Sequence, residues 1–289
     1  MIKPYLPIIL FNDQVVECDY IDPNLVAYGT TIYEVIRIMD GKPLFLDLHL
    51  ERLRASARNS GFDLWYSNGQ LLGLVEKLIA SCGSATGNIE VLINYQADAC
   101  PHVRNLLGYY IPHKYPEESD YQQGVKLVYY LSERANPTVK AKNLPLKEAA
   151  AIIMEKQQAY EVLLVDKQGK ITEGSRSNVF FVQGEKVYTA PMLKVLPGIT
   201  RAVVLMLCQK HGIEVLEEAV QYESIGNYEA AFLTGTSPGV LPIATIEQQG
   251  FDVHHPIIER IKNAYDEFVG IWLAQWDTEK MRHFTNLSG

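Results

Sequence analysis

Apolar positions along this chain follow two spacings, and the changes between them mark out the elements. Pro7-Ile8-Ile9-Leu10-Phe11 reads as a strand closed by the turn formers Asn12-Asp13. Thr31 to Met39 is rich in β-branched and aromatic residues and ends at Asp40-Gly41, a hairpin signal, with Phe45-Leu46 expected as the return strand. From Asp47 the period lengthens. Leu48, Leu53 and Ala57, together with His49, Arg52 and Ser56, fit a helix that stops near Gly61. Gln70 to Ser81 reads as a second helix, and Asn88 to Gln96 and Asn105 to Pro112 as strands. His113 to Asp120 is polar, carries a proline and has no period, which predicts a linker. Beyond it come a strand over Gly124 to Leu131, a helix over Leu144 to Tyr160, a strand over Glu161 to Val165, a turn at 166–169 and a strand over Asn178 to Val182. Pro197-Gly198 opens a helix that runs through His211 and closes at Gly212. Ala230 to Leu233 is a buried strand, and His255 to Trp272 an amphipathic helix with Ile258, Ile261, Tyr265, Phe268 and Trp272 on one stripe. No repeat or low-complexity run interrupts the pattern.

This mixture predicts an α+β fold with antiparallel hairpins, not a doubly wound sheet. A chain of 289 residues is long enough for its core to split. The expected division is an N-terminal α/β domain over 1–114, a linker over 115–123 and a larger C-terminal domain over 124–289 with a mixed or antiparallel sheet. Lys plus Arg is 26 against 34 Asp plus Glu, a formal charge of −8, which argues against a nucleic-acid surface. No apolar stretch approaches the roughly 20 residues needed to span a bilayer, and the N-terminal apolar run is too short for a signal peptide. Cys18, Cys82, Cys100 and Cys208 are scattered without a Cys-x-x-Cys pair, fitting neither a zinc site nor a disulfide scaffold. The expected setting is the cytoplasm.

Several segments carry candidate chemistry. Leu196-Pro197-Gly198-Ile199-Thr200-Arg201 puts a tight turn at a helix N-terminus, where backbone N–H groups and the dipole attract an anion; an ordinary helix start is the commoner explanation. Thr234-Gly235-Thr236-Ser237 follows a buried strand, and small hydroxyl residues beside glycine let backbone approach a ligand; a plain loop exit has even odds. Arg52 shares a helical face with His49 and could fork onto phosphate oxygens, although most such arginines are solvated. Lys140 lies between apolar Val139 and Ala141, a setting that can desolvate an amine for Schiff-base work; a surface lysine is the plain alternative. Glu173 stands at a strand end, where a turn carboxylate is the plain alternative. No Gly-x-Gly-x-x-Gly, Walker loop, nucleophile elbow or metal-ligand spacing is present.

Val139-Lys140-Ala141-Lys142-Asn143-Leu144, Thr172-Glu173-Gly174-Ser175-Arg176-Ser177-Asn178-Val179-Phe180 and Leu196 to Arg201, in that order, resemble the class IV, fold-type IV pyridoxal-phosphate aminotransferases. Tyr33-Glu34-Val35 and His49-Leu50-Glu51-Arg52-Leu53 resemble the same family, so the likeness covers nearly the whole chain. It looks closest to the D-amino acid branch, since Lys140 stands three residues before Asn143, with branched-chain enzymes nearby. The resemblance implies a two-domain enzyme carrying pyridoxal 5'-phosphate. Lys140 would hold the cofactor as a Schiff base and shuttle a proton, with Lys142 as its rival on the same strand face. Glu173 would pair with the pyridine nitrogen. Arg52, Gly198, Ile199, Thr200 and Thr236 would hold the phosphate, and Leu196 would pack on the ring. Tyr33 and Ser237 would face the substrate.

The sequence departs from the family at two places. Gly29-Thr30-Thr31 stands where the family often has an aspartate. His102-Val103-Arg104 reverses the Arg-x-His carboxylate trap of the D-amino acid enzymes. The implied activity is transfer of an amino group between an amino acid and a 2-oxo acid. The alternatives are a 4-amino-4-deoxychorismate lyase on the same fold and a binding protein that has lost catalysis; retention of Lys140 and Glu173 speaks against the latter. The family is usually a homodimer with small-molecule partners, and neither nucleic acid nor a membrane is expected.

Overall fold

A computed structural model describes residues 2–22, 25–98 and 102–276. The chain divides into two compact units, 1–114 with 139–142 and 269–289, and 115–138 with 143–268.

The first unit contains β1 (Ile8–Phe11), β2 (Gln14–Glu17), β3 (Thr30–Met39), β4 (Lys42–Pro43), α1 (Leu46–Asn59), α2 (Asn68–Cys82), β5 (Gly87–Gln96) and β6 (Val103–Ile111). Its six strands run in the order β2-β1-β6-β5-β3-β4. Every pairing is antiparallel. Strict alternation along β3 buries Ile32, Glu34, Ile36 and Ile38, and the three isoleucines meet Leu50 and Leu53 of α1 and Val75 and Leu78 of α2 in one apolar cluster. The opposite face carries Tyr33, Val35 and Arg37, level with Leu92, Glu90 and Asn88 of β5.

The hairpin turn at Asp40-Gly41 has φ of 51° and 75°, the mirror-image turn that suits strand twist. The expected return strand at Phe45-Leu46 needs correction. The return is only Lys42–Pro43, because proline cannot donate to the ladder. Phe45 takes a left-handed conformation as the N-cap of α1, and Leu46 is already helical. Burial of the Phe45 ring, edge-on to Trp272 at 5.1 Å, offsets that backbone cost. α2 begins with a reciprocal capping box between Ser67 and Gln70.

The second unit contains α3 (Glu118–Gln123), β7 (Val125–Leu131), α4 (Leu144–Gln157), β8 (Glu161–Val165), β9 (Ile171–Gly174), β10 (Asn178–Gln183), β11 (Lys186–Thr189), α5 (Ile199–Lys210), β12 (Glu214–Leu216), β13 (Ala230–Gly235), β14 (Gly239–Ile246), β15 (Gln249–Gly250) and α6 (Pro256–Ala274), the last continuing into the residues grouped with the first unit. Its sheet runs β12-β11-β10-β13-β14-β7-β8-β9, with β15 on β14. The sheet is mixed. β7 lies parallel to β8, β14 to β7 and β11 to β12, and the other pairs are antiparallel. α4 lies in the long connection that a parallel neighbour requires.

Residues 118–123, inside the stretch expected to be a linker, form α3 behind a Glu117/Asp120 capping box, and the Tyr121 hydroxyl donates to the Pro238 carbonyl at 2.8 Å. Six residues are too few to display a helical stripe. α4 stops before the expected Tyr160 because Gln158 caps it in the left-handed region. No helix among the described residues is long and apolar enough to cross a membrane. Cys100 and residues 277–289 lie outside the described residues.

Candidate active site

In the first unit the central feature is a carboxylate on an apolar strand face. Glu34 is fully buried and receives Arg52 at both oxygens, Nε to Oε1 at 2.8 Å and Nη2 to Oε2 at 2.6 Å. His49 Nδ1 lies 2.7 Å from Oε2. The spacing of three along α1 brings both partners to one face of the helix. Burial alone would raise the Glu34 pKa, but the Arg52 charge and the hydrogen bonds from Arg52 and His49 prevail and bring it to about 2. Burial pushes the His49 pKa down, so the imidazole is neutral. Nδ1 therefore carries the proton and donates to the ionised carboxylate. Arg52, expected to hold the phosphate, has one edge of its guanidinium committed to Glu34.

Residues 139–142 lie along the edge of β3. The Tyr33 N–H donates to the Lys140 carbonyl at 3.0 Å, Ala141 bridges to Ile32, and the Lys142 N–H reaches the Thr31 carbonyl at 3.4 Å. The Lys140 N–H donates to Ser56 Oγ at 3.3 Å. Lys140 Nζ stands 5.0 Å from the Tyr33 ring centroid and Lys142 Nζ 5.7 Å. Lys142 also pairs with Glu90 Oε2 at 3.0 Å, and the same oxygen accepts from the Tyr109 hydroxyl. His102 and Arg104 are placed elsewhere. Arg104 is level with Tyr95 on the face opposite Tyr33, its guanidinium 5.6 Å from the Trp65 ring centroid, and His102 lies 6.0 Å from Tyr95. This chain does not bring them to Tyr33.

In the second unit Glu173 is buried on β9. Arg134 Nε lies 2.8 Å from its Oε1 as an ion pair off the N–H axis. The Leu196 N–H donates to Oε2 at 3.1 Å, and Asn178 Nδ2 approaches it at 3.5 Å while donating to the Leu196 carbonyl at 3.0 Å. The loop after Glu173 hangs on a second acid. Glu161, fully buried, accepts from Ser175 Oγ at 2.6 Å, Ser177 Oγ at 3.2 Å and the Arg176 N–H at 3.3 Å. A Cβ at Gly174 would overlap Ser177 Oγ and force that hydroxyl to move.

The first turn of α5 holds Ile199 and Thr200, both buried, and Gly198 as an N-cap with no side-chain hydrogen bond. A Cβ on Gly198 would strike Asn178 Oδ1. Thr234, cross-strand from Asn178, is buried with no hydrogen-bond partner for its Oγ1 among the described residues. Thr236 and Ser237 are half-buried on the turn that follows β13. A helix start without a side-chain cap, followed by buried Ile199 and Thr200, and a buried Thr234 hydroxyl without a hydrogen-bond partner among the described residues fit a phosphate ester. Arg134, Glu161 and Glu90 were not singled out from sequence, because nothing local marks an exposed-looking charge as buried.

The family model for amino-transferase class IV matches residues 31–246. This chain belongs to the class IV aminotransferases. It is an enzyme that transfers amino groups, and pyridoxal 5'-phosphate comes with that class. It is 29% identical over 273 residues to D-alanine aminotransferase of Bacillus licheniformis, covering 89% of this chain and 95% of that one. The fold is that of the Escherichia coli branched-chain amino acid aminotransferase, with TM-score 0.82, 23% identity and coverage of 91% and 95%. A branched-chain aminotransferase from Thermobaculum terrenum, solved in its PLP form, superposes with TM-score 0.78 at 21% identity, covering 92% and 95%. The expected α+β, fold-type IV architecture is thereby borne out, as is the transaminase reading.

Proposed function

We propose that this class IV aminotransferase moves an amino group between an α-amino acid and a 2-oxo acid, with Lys140 as the residue that bonds the cofactor and carries the proton. The observation that supports the choice is the position of Lys140, whose amine lies over the Tyr33 ring while its backbone is pinned by Tyr33 and Ser56. When bound, pyridoxal phosphate supplies an aldehyde that takes the amine and a ring that withdraws electrons from the substrate Cα. Lys140 would take the proton from the substrate Cα and deliver it to the cofactor carbon that bore the aldehyde, and would carry a proton the opposite way in the second half-reaction. Glu173 accepts the ring N–H. Gly198, Ile199 and Thr200 would present N–H groups to the phosphate, with Thr236 as a further contact, Leu196 against the ring and Ser237 toward the substrate; in the first unit, Arg52 and Tyr33 keep the phosphate and substrate roles that the family resemblance gives them. The amino acids named for its relatives, D-alanine and the branched-chain series, are the first substrates to assay. A homodimer and a cytoplasmic setting belong to the proposal; the free thiols at Cys18, Cys82 and Cys208 accord with the latter.

Lys140→Ala should abolish the visible absorbance of the cofactor-loaded protein and lower turnover by about 100- to 10,000-fold or more. Full retention of both would sink the assignment. Release of pyruvate and 4-aminobenzoate from aminodeoxychorismate, without amino transfer to 2-oxoglutarate, would establish the lyase instead.

A further inference from the structure

We propose that Lys142 receives the substrate's carboxylate and that Glu90 is the positioning residue that aims it. The proposal rests on Lys140 being the lysine that bonds the cofactor. Ala141 bridges to Ile32, so the residues on either side of it, Lys140 and Lys142, leave this short segment on the side of Tyr33. Two ammonium groups therefore stand over one phenol ring, 5.0 and 5.7 Å from its centroid. One of them is committed to the cofactor. The other has no part in that chemistry, yet it is only 22% exposed.

The hydrogen bonding of Lys142 leaves capacity for a ligand. An ammonium has three donors. Among the described residues, the side chain makes one hydrogen bond, to Glu90 Oε2 at 3.0 Å. Glu90 is itself fixed, since that oxygen also accepts from the buried Tyr109 hydroxyl. The register places Glu90 level with Val35 and Tyr109, on the same sheet face as Tyr33. Glu90 thus anchors one donor, which directs the other two away from the sheet. A carboxylate is the substrate group common to every amino acid and 2-oxo acid, and a partly desolvated ammonium is its natural ligand. Arg104, the alternative cation, is on the opposite face in this chain, and the His102 ring lies beside Tyr95 of that face. Of β3, β5 and β6, only Arg37 adds another cation to the Tyr33 face.

The test compares substrates with and without the carboxylate in the pyridoxal-phosphate-loaded enzyme. Lys142→Met should keep the visible absorbance and its half-reaction with benzylamine. It should lose about 10- to 100-fold in kcat/KM for both enantiomers of phenylglycine, mainly through KM. The calorimetric Kd for pyruvate, which binds the aldehyde-loaded form without reacting, should weaken by a similar factor. Lys142→Arg should restore part of both, and Glu90→Gln should raise KM for phenylglycine more than it lowers kcat. Equal losses for phenylglycine and benzylamine, or unchanged pyruvate binding in Lys142→Met, would overturn the proposal and leave Lys140 in place. Loss of the absorbance in Lys142→Met with its retention in Lys140→Ala would overturn both.

Discussion

Glu34 and Glu173 are both buried carboxylates with an arginine at hydrogen-bond distance, one in each compact unit, and they are built differently. Glu34 is closed on all sides. Arg52 grips it with two well-formed bonds and His49 adds a third, and both partners come from one helix, so a single element fixes the whole cluster. Glu173 is held by groups from three separate places: Arg134 before α4, Asn178 on β10 and the Leu196 amide before α5. Its arginine is off-axis and its asparagine is distant. A closed, ionised cluster gives rigidity and a fixed guanidinium. Glu173, reached from several separate elements, is the carboxylate to which the proposal gives the ring N–H.

That contrast can be broken by mutation. The largest expected effect is in the first unit. Glu34→Ala removes the carboxylate from a buried ion pair and should cost about 3–5 kcal/mol in chemical denaturation, whereas Glu173→Ala, whose Arg134 is 16% exposed and reaches water, should cost about 1–3 kcal/mol. Equal costs would mean that Glu173 is as tightly built as Glu34.

Acid should act next. The folded pKa of Glu34 is depressed from 4.5 to about 2, so its contribution is complete above pH 4.5 and is lost as pH falls toward 2, about 3 kcal/mol in total. His49 works in the same direction. Its depressed pKa means that the unfolded chain binds the proton first, and stability starts to fall once pH drops below 6.5. Denaturation midpoints at pH 7, 5 and 3 should decline in the wild type and decline less in Glu34→Gln.

Gly198→Ala sharpens the second region. Its Cβ would push against Asn178, with an expected loss of about 1–3 kcal/mol and weaker uptake of pyridoxal phosphate in a spectral titration. Ser67→Ala is the smallest change and serves as a reference, since it removes one partner of the α2 capping box at about 1 kcal/mol with no change in cofactor uptake.

The elements that could be read in advance share a physical trait. β3 and β5 are long, β-branched and paired to sequence neighbours by hairpin or by direct contact, so local pattern and tertiary environment agree. Of the strands that the sequence pattern does not reveal, Gln14–Glu17, Lys186–Thr189 and Glu214–Leu216 have only three or four residues and take their identity from the partner strand, while the eight-residue Gly239–Ile246 is masked by Pro242 within its run. Phe45 misled because an aromatic residue beside a hairpin suggests a strand, while the ring's packing on Trp272, more than 200 positions away, selects a left-handed turn. The candidate site divides in the same way. Lys140, Arg52, Glu173 and the Gly198 turn stood out because each lies in a motif. Arg134, Glu161 and Glu90 did not, because their partners are distant in sequence or on another strand.

From the sequence alone came the α+β class, the order of the main elements and the resemblance to class IV aminotransferases, since hydrophobic period and short motifs are local properties. Only the tertiary structure decided which charges are buried and what they face. It closed Arg52 onto Glu34, set Lys142 beside Lys140 over one tyrosine, and sent Arg104 to the other side of the sheet. Burial and the choice of partner depend on chain segments far apart in sequence, and the strength of an ionic contact depends on both.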